Sequence, residues 1–485
     1  MKVYISSTLK SFFEKNSEVE TSENTIRNIL KFLTDEYPDS KKVLLDEDGK
    51  LRTFVRIYVN DSDHTAYEKW DKVLKETDEL YLLPSIAGGS SRESIISDDR
   101  RKEVTLDDQE VERFGKHLLL REISVKGQKR IKASKVAVVG AGALGSAVIE
   151  YLAAAGVGTI KVIDSGVVSL DNLQSQVIHS QRDLKRPKVA SARDYVRNNN
   201  RNIVFEDENI QPDADNISSL IEDFDVVVDC SDNYKTRYLI NDACELLGIP
   251  VVYGAIYQYE GRVSIFNYNN GPCLRCLYPA PPPQGLVPTC AEGGAISPLP
   301  GIIGSIQANE VLKLIIGIGN ILDGKMLVAD TLNLSFKILN VEKDDKCPLC
   351  GKDPQITAVE DFDYEEFCGL KEDENEIPVE GLTPDELAKR IENNEPITII
   401  DVREPHERAI MRFPDASVIP IGQLERRMKE LNPDIDTVFI CREGKRSILA
   451  INTLREAGYK GPMYNLKGGI EAMKDIIFSH EGAWL

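Results

Sequence analysis

Gly140-Ala141-Gly142-Ala143-Leu144-Gly145 follows a short apolar run, Lys135–Val139, and opens a helical one, Ala143–Ala155. Glycine lets the backbone turn sharply and approach a phosphate closely. The helix that follows offers free N–H groups and a partial positive charge at its start. Asp164 stands 19 residues after Gly145, at the end of the next strand, Thr159–Ile163, where an acid can meet ribose hydroxyls. By itself the motif fits an NAD-dependent enzyme, and a tight structural turn would also produce it. Strand and helix signals alternate from residue 109 to about 352, which predicts a Rossmann-like domain with a parallel-rich sheet.

Working outward, the chain has 485 residues, enough for about three domains. Hydrophobic residues make up 42% and charged residues 28%, as in soluble globular protein. The net charge of −20 argues against nucleic acid or an anionic membrane as main partner, since both select for basic patches. No apolar run reads as long enough to cross a bilayer. Met1-Lys2-Val3-Tyr4-Ile5 reads as a strand and lacks the apolar core of a signal peptide. A cytoplasmic protein is expected. Nine cysteines, an odd number without a signal peptide, point to metal ligation or thiol chemistry rather than to disulfides.

An α/β multidomain chain follows from the pattern. Residues 1–89 form a small mixed domain, with a helical period over Glu23–Tyr37 and strands at Lys2–Ser6, Phe54–Val59 and Glu79–Leu83. Residues 90–108 are polar and read as a linker. The α/β domain of residues 109–352 comes next. Residues 353–380 are acidic and read as a solvated linker. Residues 381–485 form a second, smaller α/β unit that begins at the helix start Thr383-Pro384-Asp385-Glu386.

Asp171-Asn172-Leu173-Gln174, Arg186-Pro187-Lys188 and Asp229-Cys230-Ser231-Asp232-Asn233 lie downstream of the glycine turn. With them, residues 109–352 resemble the adenylating enzymes that activate sulfur-carrier proteins, relatives of ubiquitin-activating enzymes. The resemblance implies that a carrier's terminal carboxylate attacks the α-phosphate of ATP. It implies a nucleotide site of Gly140, Gly142, Gly145, Asp164, Asn172, Gln174, Lys188 and Asn233, with Lys188 offsetting phosphate charge and Asp232 holding Mg²⁺. Standing alone, Lys188 would read as a surface salt bridge. Two positions depart from the family: Ser175 stands where an arginine is usual, and Lys116 stands where an arginine usually reaches toward a partner subunit. Lysine still offers a point charge without the bidentate fork. Lys185 and Arg186 are candidates to compensate. A homodimer is implied by the resemblance alone.

Cys273-x-x-Cys276 and Cys347-x-x-Cys350 are matched pairs whose four thiolates would close a tetrahedral, structural Zn²⁺ site; a redox dithiol is the alternative. Cys290, in Pro288-Thr289-Cys290-Ala291-Glu292-Gly293-Gly294, aligns with a family cysteine that forms a thioester or acyl-disulfide with the activated carrier. Cys230, Cys244 and Cys368 carry no expected role.

Cys441-Arg442-Glu443-Gly444-Lys445-Arg446-Ser447 lies between a strand and a helix. Such a loop wraps backbone N–H groups around one sulfur, and Arg442, Lys445 and Arg446 are expected to lower the thiol pKa. With Asp401-Val402-Arg403-Glu404, Pro414-Asp415-Ala416 and Lys467-Gly468-Gly469, it resembles single-domain rhodaneses, which implies a catalytic persulfide on Cys441 with Arg446 beside it. Tyrosine phosphatases use a related loop one residue longer.

Leu83-Pro84-Ser85-Ile86-Ala87-Gly88-Gly89 ends a segment that resembles ubiquitin-like β-grasp sulfur carriers. A Gly88-Gly89 tail can thread a narrow channel because it lacks Cβ atoms. Gly89, however, is joined to Ser90. Either a protease cuts after Gly89 and frees the carrier, or the enzyme serves a separate carrier. The expected function is ATP-dependent adenylation of a carrier's C-terminal glycine, then sulfur transfer to give a thiocarboxylate for a sulfur-containing metabolite or cofactor. A cysteine desulfurase is the kind of donor expected. Activation for ubiquitin-like protein conjugation, or a scaffold with weakened adenylation, are the alternatives.

Overall fold

The computed structural model describes residues 1–6, 9–46, 48–52, 55–60, 62–84, 92–282, 293–368, 378–409 and 411–474. Three sheets organise them.

The first sheet comprises β1 (Lys2–Ile5), β2 (Glu18–Glu20), β3 (Val55–Val59), β4 (Ser62–Asp63) and β5 (Glu79–Pro84), in the order β2-β1-β5-β3-β4. The two chain-distant strands β1 and β5 pair in parallel at its centre, and the other pairs are antiparallel. Along β1 and β3 alternate residues are buried (Val3, Ile5, Val55, Ile57, Val59), as one covered face requires. The cover is the helix Ile26–Glu36, capped by Thr25, whose hydroxyl accepts from Asn28 N–H. Its Ile26, Ile29, Leu30 and Leu33 fall on one face and are all buried.

The second sheet has eight strands: β6 (Lys135–Val139), β7 (Thr159–Ile163), β8 (Val204–Glu208), β9 (Val226–Asp229), β10 (Val251–Tyr257), β11 (Glu260–Phe266), β12 (Lys325–Asp330) and β13 (Ser335–Asn340). Their order is β13-β12-β11-β10-β9-β6-β7-β8. The five strands from β10 to β8 are parallel, and β11, β12 and β13 extend the sheet antiparallel. From β6 the chain winds outward through β7 and β8, then returns to β9 on the other side. Neighbouring crossovers therefore diverge beside β6. That switch point is where open α/β sheets bind ligands, and the Gly140–Gly145 turn occupies it.

The third sheet, of five parallel strands, runs β14 (Gly381–Leu382), β18 (Met463–Leu466), β17 (Asp436–Ile440), β15 (Ile397–Asp401) and β16 (Ser417–Val418). Thr383 and Glu386 form the expected reciprocal cap of the Pro384–Glu392 helix.

Three expectations change. The stretch read as a linker after residue 89 contains the helix Asp98–Glu103, and Ile96, 1% exposed, belongs to the core of the eight-stranded domain. The acidic stretch is not solvated throughout. Val359, Tyr364 and Cys368 are buried, and the buried Arg275 guanidinium lies 4.5–5.1 Å from the ring centres of Tyr238, Phe362 and Phe367. Finally, the helix Pro298–Ile316 has the length and apolarity of a membrane span, contrary to the reading of the sequence. Its apolar side chains pack inside the domain: Leu299, Ile303, Val311 and Leu314 are all 0% exposed.

Position 145 tests how tightly the turn is built. A Cβ there would lie 1.9 Å from the Gly140 carbonyl oxygen, closer than any side chain tolerates. Gly145→Ala is expected to cost about 3 kcal/mol. Calorimetry should show the eight-stranded domain melting roughly 5–10 °C lower, with the other domains unmoved.

Candidate active site

The Gly140–Gly145 turn is fixed from two sides. Asp164, the residue after β7, accepts from Ala141 N–H (2.8 Å) and Gly166 N–H (2.7 Å). On the other side the Ala141 carbonyl meets Nε2 of buried His179 at 3.1 Å. The Ala143–Ala155 helix starts here, and its first turn leaves N–H groups without helical partners. So one carboxylate oxygen of Asp164 supports the turn and the other holds its own loop, a role the sequence did not suggest.

Lys188 opens the helix Lys188–Asn199, and its N–H is bonded to Gly166 O at 2.9 Å. That bond puts Lys188 beside the Asp164 loop. Among the described residues its ammonium has no ion-pair partner, so it is not engaged in a surface salt bridge. Arg186, expected to compensate for Ser175, is spent otherwise: it donates to Asp183 and to Asp194, each at 2.6 Å. Lys185 is exposed, as is Lys116.

Asn172 Oδ1 caps its own turn by accepting from Ser169 N–H (3.2 Å), and Gln174 Oε1 accepts from the Ser297 hydroxyl (2.7 Å). Ser297 directly precedes the Pro298–Ile316 helix, whose Gln307 donates to the carbonyls of Asp229 (2.9 Å), the last residue of β9, and of Val252 (3.2 Å), near the start of β10. Asp232 and Asn233 are exposed, with Asn233 Nδ2 3.3 Å from Asp232 Oδ1. Cys290, Gly88 and Gly89 lie outside the described residues.

Cys273, Cys276, Cys347 and Cys350 converge, with all four Sγ atoms within 4.8 Å of one another. The Cys273 and Cys347 sulfurs are 3.5 Å apart. Four thiolates about 2.3 Å from a zinc ion would be spaced about 3.8 Å apart in a tetrahedron, so the cluster fits a closed zinc site.

Cys441, the residue after β17, is 1% exposed. Its Sγ accepts from Gly444 N–H at 3.0 Å. Gly444 takes φ +97°, which side chains rarely adopt, and so aims that amide at the sulfur. The Lys445–Glu456 helix begins immediately after it. Ser447 Oγ sits 3.3 Å from the sulfur, 2.9 Å from Gly444 O and 2.6 Å from Asn465 Oδ1. The hydroxyl has one proton. While it donates to Asn465, its oxygen can accept from the thiol; once the sulfur is ionised, the proton can turn to it.

The expected ring of cations is arranged otherwise. Arg446 is bound bidentately by Glu407 (2.6 and 2.8 Å), and Arg442 faces Glu471 at 3.3 Å. Burial would raise the Glu407 carboxyl, but the Arg446 bonds and the Glu404 N–H outweigh it and hold it below its ordinary value. The pair therefore braces the loop at neutral pH and is lost only as pH falls through that depressed value. Backbone amide and hydroxyl, rather than free guanidinium groups, face the sulfur. Asn465, Glu407 and His179 lie far in sequence from the motifs they serve, and no local signal marks them.

Comparison with known proteins bears on all three parts. Family models match residues 3–89 (ThiS family), 114–349 (ThiF family) and 383–475 (rhodanese-like domain). The chain is 39% identical over 373 residues to the probable adenylyltransferase/sulfurtransferase MoeZ of Mycobacterium tuberculosis, covering 75% of this chain and 93% of that one. It is 37% identical over 384 residues to the adenylyltransferase and sulfurtransferase MOCS3 of Aedes aegypti, covering 76% and 87%. It is 42% identical over 268 residues to the sulfur carrier protein adenylyltransferase of Thermus thermophilus, covering 54% and 98%. The chain thus belongs to the ThiF family, as an adenylyltransferase and sulfurtransferase that carries a rhodanese-like domain behind its adenylating domain and a ThiS-family domain in front.

Proposed function

We propose that this enzyme adenylates the C-terminal glycine of a ubiquitin-like sulfur carrier and converts it to a thiocarboxylate with sulfur held as a persulfide on Cys441. The observation that carries the reading is the Cys441 sulfur cradled by Gly444 N–H in a chain that also holds an adenylating domain. ATP, implied by the ThiF family, would lie over the Gly140–Gly145 turn with Lys188 against its phosphates. Asp232, exposed beside that region's β9 strand end, is the candidate ligand for Mg²⁺, which supplies charge neutralisation when bound.

The carboxylate oxygen of the carrier attacks the α-phosphorus, and the bond to pyrophosphate breaks. The terminal persulfide sulfur then attacks the acyl carbon, and AMP leaves. A second thiol, Cys290 or an added dithiol, opens the acyl-disulfide at the Cys441 sulfur. The thiocarboxylate departs, and the disulfide left behind is reduced by cellular thiol. This chemistry suits a reducing, cytoplasmic setting, with a cysteine desulfurase as the type of donor.

The fused ThiS-family domain is the natural substrate, and it requires a free end. Chain geometry supports cleavage after Gly89. Arg92 N–H is bonded to Gly317 O (2.8 Å), past the end of the Pro298–Ile316 helix. Gly304 of that helix packs against Leu144, since a Cβ there would lie 2.7 Å from the Leu144 carbonyl. The 13 residues from Gly304 to Gly317 span about 20 Å of helix. The Arg92 anchor thus lies about 20 Å from the Gly304–Leu144 contact beside the Gly140–Gly145 turn, a separation that a carrier freed after Gly89 does not have to respect.

Three outcomes are expected. With a persulfide donor, ATP and a free-ended carrier, Cys441→Ala loses thiocarboxylate formation, read by intact mass, and keeps ATP–pyrophosphate exchange. Unchanged thiocarboxylate yield would show the rhodanese step to be wrong. Elemental analysis should find one zinc per chain, lost in Cys276→Ser, and stripping it should lower the adenylating domain's melting temperature by on the order of 10 °C. The protein made in its own host should yield a fragment ending at Gly89; an uncut chain would mean that a separate carrier is the substrate.

A further inference from the structure

His179 is 7% exposed and lies outside every motif that marks the nucleotide site. Its two ring nitrogens have different partners. Nε2 is 3.1 Å from the Ala141 carbonyl oxygen, and Nδ1 is 2.8 Å from the Ser191 hydroxyl. A carbonyl oxygen only accepts, so Nε2 carries the proton. In the neutral ring Nδ1 then accepts from Ser191. Burial, aided by nearby Lys188, outweighs the Ala141 bond and lowers the His179 pKa below the ordinary imidazole value, which keeps the ring neutral at pH 7.

The consequence follows from the planarity of one peptide. The Ala141 C=O and the Gly142 N–H belong to the same trans unit and point in opposite directions. Holding the carbonyl inward at His179 aims the Gly142 amide outward from the turn. Among the described residues that amide donates to no protein acceptor. The preceding peptide is held in the complementary way: its N–H, on Ala141, donates to Asp164. Ser191 lies one turn beyond Lys188 on the same helix, so His179 also ties the turn to the helix that carries the free lysine.

We propose that His179 is a positioning residue for phosphate binding: by holding the Ala141 carbonyl it aims the Gly142 N–H at the phosphates of ATP and keeps the turn in register with Lys188. The inference rests on the adenylation reading of this site. Glutamine can place its amide Nε2 where the imidazole Nε2 stood and still donate to Ala141. Leucine fills the space and donates nothing.

The test is calorimetric titration of the full chain with ATP and with adenosine, for wild type, His179→Gln and His179→Leu. The leucine variant is expected to bind ATP at least ~10-fold more weakly and adenosine unchanged, in line with one lost charge-assisted bond. The glutamine variant is expected to recover most of the ATP affinity. Equal loss for ATP and adenosine would mean a general distortion of the site and would overturn the proposal. So would a leucine variant with wild-type ATP affinity, or a glutamine variant as weak as leucine. Failure of the wild-type protein to bind ATP would instead sink the adenylation reading itself, so the two failures are distinguishable.

Discussion

The adenylating half depends on one close approach: the Gly140 carbonyl oxygen lies where a Cβ of residue 145 would have to sit. That approach folds the end of β6 directly into the Ala143–Ala155 helix. It sets the first helical amides over the switch point of the sheet, where neighbouring crossovers leave a crevice. The remaining parts are arranged to hold this turn. Asp164 takes the Ala141 N–H, His179 takes the Ala141 carbonyl, and the Gln307 side chain ties the end of β9 to the start of β10. Gly304 lets the Pro298–Ile316 helix lie against the start of the turn's own helix.

The rhodanese half solves the same problem for a smaller ligand. A strand ends, a glycine takes a left-handed conformation, and a helix begins. Here the amide meets a sulfur of the chain itself. In both halves the conspicuous guanidinium groups are mostly engaged by carboxylates: Arg446 by Glu407, Arg442 by Glu471, and Arg186 by Asp183 and Asp194. Their work is to brace loops. In a chain of net charge −20 carboxylates outnumber cations, and each of these arginines has one within ion-pair distance. Lys188 stands apart: among the described residues its ammonium has no ion-pair partner, while the Asp164 carboxylate beside it accepts from two backbone amides.

The segment that joins the carrier to the enzyme is also more than a tether. Arg92 and Ser94 bond to the end of the Pro298–Ile316 helix, Ile96 enters the core, and Arg100 pairs with Asp225 at the amino end of β9. These contacts place the start of the adenylating unit at the amino edge of the sheet. The nucleotide turn is at the carboxyl edge. The strand direction of β6 and β9 therefore separates the fused carrier's attachment point from the site that would act on a free carrier.

The sequence by itself determined the parts whose signals are local. The glycine turn, the strands Lys135–Val139, Thr159–Ile163, Val226–Asp229 and Ile397–Asp401, the Thr383 cap and the two cysteine pairs are read from spacing, because a turn, a strand period or a metal pair is completed within a few residues. Tertiary structure decided what required partners from elsewhere in the chain. It added three antiparallel strands to the parallel sheet, since register between β10 and β13 depends on which edges meet. It buried the Pro298–Ile316 helix, whose composition alone cannot distinguish a core from a bilayer. It chose which cations stay free, and it brought His179 to Ala141 and Asn465 to Ser447. A hydrogen bond between residues 38 or 18 positions apart leaves no periodic trace, because its geometry exists only after the sheet has closed.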